Sequence, residues 1–239
     1  MSLNQGEGRL QEAIENLYAE FAKYSSWDKT GGCPCCHEPR DAQAMRNKKL
    51  RELSHEDLLH YSASALLTWG DENDFRHFLP RLFELSVNPG HQVWTSEFIF
   101  GRLHMAGFAS WSKKEQDVID KFFQAWWETT VSNYPCACPL SDVLSALTLV
   151  FDSSDKYLTD WKNRRTAESF RHFIESSRLL ENEFYSRPQR ELVREWLYNE
   201  STLEWLENGY YEFQGQDWSE DLLSEIERVS LSAAYRNAR

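Results

Sequence analysis

Apolar residues recur along this 239-residue chain at intervals of three and four, and nowhere do they alternate convincingly with period two. Leu10, Ile14, Leu17 and Phe21 set the pattern, with charged residues between them. That spacing puts one apolar stripe on a helix and cannot face a sheet, so the chain must bury helix against helix. Only 10 Gly and 7 Pro are present, few for an all-β protein that turns every 8–12 residues or so. The expected fold is all-α, built from packed helical hairpins, at most a short irregular HEAT-like superhelix.

Breaks and caps divide the pattern. A first helix over 9–24 stops at Ser25-Ser26-Trp27-Asp28-Lys29-Thr30-Gly31-Gly32, a loop signal that continues to Pro39. A short helix is expected over about 41–52. Ser54 precedes a helix carrying Leu58, Leu59, Tyr61, Ala65 and Leu66, and Gly70-Asp71 ends it. Phe75, Phe78, Leu79, Leu82, Phe83 and Leu85 mark the next, with Pro80 expected to kink it. Thr95 or Ser96 caps a helix ending near Gly107, and Ser112-Lys113-Lys114-Glu115 opens another that reaches about Ser132. Further helices read at about 140–151, 155–163, 165–179, 188–198, 200–208 and 219–235. The chain reads as one helical domain over 1–239, with a subdivision near 133–139 as the alternative, where Tyr134-Pro135-Cys136-Ala137-Cys138-Pro139 forms a rigid connector.

A faint echo relates Leu66-Leu67-Thr68-Trp69-Gly70-Asp71 to Leu147-Thr148-Leu149-Val150-Phe151-Asp152. Each is an apolar helix end followed by a residue able to cap a second apolar helix, the outline of an αα-hairpin repeat.

Charge and composition remove several function classes. Hydrophobic residues make up 41% and aromatic residues 14%, ten of them Trp, unlike a disordered chain. The net charge of −12 argues against nucleic-acid binding, which draws its affinity from cations neutralising phosphates. It also repels anionic membranes, and no apolar run approaches the ~18 residues of a membrane span. Met1-Ser2-Leu3-Asn4-Gln5-Gly6-Glu7-Gly8 has neither a basic nor an apolar leader segment, so no signal peptide is expected. An odd count of five Cys disfavours a disulfide framework and favours a reducing, cytoplasmic setting.

Gly32-Cys33-Pro34-Cys35-Cys36 after an amphipathic first helix, then Leu67-Thr68-Trp69-Gly70-Asp71 and Asp74-Phe75-Arg76-His77-Phe78-Leu79-Pro80-Arg81-Leu82-Phe83-Glu84-Leu85, resembles a group of uncharacterised bacterial helical proteins. The resemblance spans roughly residues 10–165 and is clearest in these two blocks. It implies a bacterial origin and a self-contained helical protein, and it carries over no catalytic residue.

One cluster carries metal chemistry in its spacing. Cys33 and Cys36 are placed as two thiolates of a tetrahedral Zn²⁺ site, with Cys35 and His37 as further ligands. Cys136 and Cys138 are the second pair that would complete it, about a hundred residues away. The plainer reading makes these Cys small buried residues that lock two loops. A redox dithiol is less favoured, because no strand precedes Cys33 and Pro39 follows it before any helix.

Other candidates weaken on geometry. In His55-Glu56-Asp57-Leu58-Leu59-His60 the histidines are five apart, about 140° around a helix, and cannot share a zinc as His-Glu-x-x-His does. Asp74 and His77 have the i, i+3 spacing of a carboxylate–histidine pair, read most simply as a surface hydrogen bond. Trp126 and Trp127 point about 100° apart, so both are buried only if their helix has a wide apolar face. The chain contains no phosphate-binding glycine loop and no nucleophile elbow. The functional expectation is a non-enzymatic interaction or scaffold protein with a protein or small-ligand partner. The alternative is a zinc- or thiol-dependent protein that uses the two Cys clusters.

Overall fold

A computed structural model describes residues 5–24, 43, 45–87, 99–151, 153–180 and 187–237. The described chain is all-α, with no strand of a sheet among these residues. It divides into two compact units, Met1–Thr129 and Thr130–Arg239, a few residues before the Tyr134–Pro139 connector.

The first unit contains α1 (Gln5–Phe21), α2 (His55–Ser64), α3 (Glu72–Ser86), the short α4 (Arg102–Met105) and most of α5 (Lys113–Val131). Three of its helices start on capping boxes that close in both directions. The Ser54 N–H donates to Asp57 over 2.7 Å while the Asp57 N–H returns to Ser54 Oγ over 3.2 Å. Asp71 and Asp74 do the same over 2.9 and 3.0 Å, and Ser112 and Glu115 over 2.9 and 3.3 Å. Each box satisfies amide donors that the first helical turn leaves without a partner. Gly107 stands just past α4 at φ +69°, the left-handed stop that its position in the sequence predicts. Pro80 lies inside α3, which runs on to Ser86.

α1 packs along α3 and buries Ala13, Ile14, Leu17 and Phe21, the predicted stripe with Leu10 replaced by Ala13. The centre of the unit is aromatic. Phe83 meets Phe100, Phe122 and Phe123 with ring centroids 5.1, 4.9 and 5.6 Å apart, spacings at which edge-to-face pairing adds to burial. Trp126 and Trp127 are both buried, so the wide apolar face of α5 absorbs the two indoles.

The second unit holds α6 (Leu140–Val150), α7 (Asp155–Asn163), α8 (Ala167–Leu180), α9 (Arg187–Leu197), α10 (Glu200–Glu212) and α11 (Ser219–Asn237). α8 is central and packs on α6, α9 and α11. Trp161 stacks on Trp196 with centroids 5.2 Å apart, and Phe170 stacks on Trp205 at 4.7 Å. The last helix docks within its own chain: Leu222, Ile226 and Val229 are buried, and α11 lies against α10 and α8. Glu225, buried among them, accepts hydrogen bonds from Ser177 Oγ at 2.6 Å, Arg178 Nε at 3.1 Å and Arg228 Nε at 2.8 Å.

Candidate functional site

Of the six residues that the sequence marks for metal, Cys33, Cys35, Cys36 and His37 lie outside the described residues. Cys136 and Cys138 are described. They occupy the connector between α5 and α6 as half-buried thiols, and the Cys136 thiol donates to the Cys138 carbonyl over 2.7 Å. The one-residue spacing lets the Cys136 thiol fold back on the Cys138 backbone, near enough for the two groups to interact electrostatically.

Their surroundings favour the proton over the thiolate. Burial pushes Cys136 up to about 11, helped by the Glu175 carboxylate and by Cys138. Burial, with the Asp142 carboxylate beside it, also pushes Cys138 up to about 11. Asp142 is itself raised, first by burial and then by Glu175. A thiol must lose its proton to attack a disulfide, so this setting restrains nucleophilic chemistry at both residues. Among the described residues no group of three His, Cys, Asp or Glu side chains is placed to hold a metal ion.

A measurable consequence follows for the thiols. An elevation from an ordinary 9.0 to about 11 cuts the thiolate fraction about 100-fold at any pH below 9. Alkylation of Cys136 and Cys138 by iodoacetamide at pH 8, followed peptide by peptide, is therefore expected to run about 100-fold slower in native protein than in urea. Equal rates in the two states would mean that the connector does not shield them.

Among the described histidines, His172 and His77 hold backbone carbonyls. His172 is fully buried on α8, and its Nε2 lies 2.9 Å from the carbonyl oxygens of both Thr130 and Asn133. That nitrogen must carry its proton, and it satisfies carbonyls that the end of α5 leaves open. Burial lowers the His172 pKa, which keeps the ring neutral. His55 is buried at the start of α2 whereas His60 is exposed, in keeping with their separation around the helix.

The Asp74–His77 expectation needs correction. Asp74 is buried and closes the Asp71 cap, and His77 places Nδ1 against the Tyr24 carbonyl. The two residues serve different partners. Tyr24 thereby becomes a fixed point: its hydroxyl donates to Glu115 and accepts from Arg76 at 2.9 Å. The Arg76 guanidinium lies over the Tyr24 and Trp111 rings, 5.1 and 4.4 Å from their centroids. Buried carboxylates elsewhere are similarly committed, Glu20 to Lys23 at 2.9 Å and to Lys114 at 2.5 Å.

On α10, a run of side chains with a common chemistry faces outward. Glu200, Glu204, Glu207 and Tyr211 follow one another at intervals of four, three and four, which aligns them within about 60° of the helix circumference. All four are exposed, Tyr211 at 74%. Asn199, Glu200, Ser201, Leu203, Glu204 and Glu207 line a shallow open groove. Between Arg194 and Arg228 the chain has ten acidic residues and no Lys or Arg. Bulk net charge hides this asymmetry; a segment-by-segment charge count exposes it.

Comparison with protein-family models, with characterised proteins and with solved structures finds no match.

Proposed function

We propose that this chain is a non-enzymatic, intracellular interaction protein that docks a cationic segment of a partner protein on the outward face of α10. The observation that carries the reading is the stripe Glu200–Glu204–Glu207–Tyr211, exposed and without a Lys or Arg along its own helix. Like charges at i, i+3 and i, i+4 cost a helix about 0.2–0.5 kcal/mol per pair. A complementary chain removes that repulsion, and an exposed Tyr supplies a rigid apolar contact of the kind enriched at interfaces. The commitment of Glu20, Asp74, Glu115, Glu225 and His172 to caps, ion pairs and helix ends supports a scaffold rather than a catalyst. The same charge pattern favours a protein partner over a nucleic acid. No helix among the described residues is long and apolar enough to cross a membrane.

Triple charge reversal, Glu200→Lys, Glu204→Lys and Glu207→Lys, tests the reading. The variant is expected to keep its circular dichroism spectrum and melting temperature, because the three side chains are solvated. A partner that wild-type protein retains at low salt and releases at high salt is expected to be lost. Retention of the same partner by the variant would refute the docking face.

The alternative, a zinc- or thiol-dependent protein using Cys33, Cys35, Cys36, His37, Cys136 and Cys138, draws its support from the neighbouring Cys136 and Cys138 thiols on the connector, which influence each other electrostatically. Elemental analysis of untagged native protein separates the readings. The interaction reading expects well under one zinc per chain. A zinc content near one per chain, abolished by Cys136→Ser, would establish the alternative instead.

A further inference from the structure

No further inference is drawn: the strongest candidate, the half-buried Cys136–Cys138 pair near Asp142 and Glu175 on the connector into α6, brings together two proton-bearing thiols but no group of three metal-ligating side chains among the described residues, and nothing in the structure shows what it would hold.

Discussion

Replacing Gly209 with Ala is expected to destabilise the second unit by about 2–3 kcal/mol, although the same change in an open helix stabilises by about 1 kcal/mol. The sign reverses because α10 runs against the ring of Phe170. A Cβ on Gly209 would sit 2.3, 2.4 and 2.8 Å from Phe170 Cε1, Cζ and Cδ1. The ring has no room to yield: it is fully buried, stacked on Trp205 at 4.7 Å and in contact with Phe213 at 5.7 Å. Overpacking of this kind must push side chains off their rotamers or drive the helices apart. Gly8 on α1 supplies the control, since a Cβ there meets nothing within 4 Å; Gly8→Ala is expected to be neutral or to stabilise by up to about 1 kcal/mol. Urea midpoints followed by far-ultraviolet circular dichroism would measure both. Phe170→Leu should relieve part of the clash, so the double variant should lose less than the two single losses combined. A Gly209→Ala protein as stable as Gly8→Ala would mean that α8 and α10 do not approach this closely.

Features whose causes are local were legible in the sequence. Ser54 and Ser112 reach only three residues along the chain, so their capping boxes could be read from neighbours alone. Gly107 ends its helix for the same reason, and the stripe of Ile14, Leu17 and Phe21 needs only helical periodicity. Features that depend on distant partners were not legible. Asp74 and His77 look like a pair in sequence, yet the acceptor of His77 is the Tyr24 carbonyl, 53 residues away. The carbonyls that His172 serves lie 42 and 39 residues before it. The Phe170–Gly209 approach joins helices that are separate in sequence, and no periodicity announces it. At the candidate sites, spacing suggested the closeness of Cys136 and Cys138 but not the burial and carboxylates that hold both protons in place. The stripe on α10 is hidden in the sequence because a net charge of −12 averages over faces. What distinguishes Glu200, Glu204 and Glu207 is their shared direction on a helix that carries no Lys or Arg of its own, which becomes visible once α10 is set on the core by Trp205 and Leu206.

Glu115→Gln is expected to cost the first unit about 2–3 kcal/mol at pH 7 and to flatten its acid sensitivity. Burial alone would push this carboxyl up. Hydrogen bonds from Tyr24, from the Ser112 hydroxyl and N–H, and from Lys23 win instead, holding it down at about 2. In the unfolded chain the group titrates at an ordinary 4.5. A carboxyl whose folded pKa lies below its unfolded one stabilises fully above the unfolded value and loses that contribution as protons add. Stability supplied by Glu115 is therefore complete above pH 4.5 and drains away as pH falls toward about 2. Gln keeps one oxygen to accept from the Ser112 hydroxyl and N–H, but its amide nitrogen cannot accept from Tyr24 and Lys23, and the charge that strengthens all four bonds is lost. Melting temperatures of wild type and variant should thus differ most near pH 7 and converge toward pH 2. His77 and His172 act in a separate window: burial lowers both below an ordinary 6.5, so the unfolded chain takes up protons first and stability begins to fall below about pH 6.5. That decline is common to both proteins and leaves their difference unchanged down to about pH 4.5. Curves that stay parallel to pH 2 would show that Glu115 is not the group held down, and that the hydrogen bonds from Tyr24 and Ser112 do not depend on its charge.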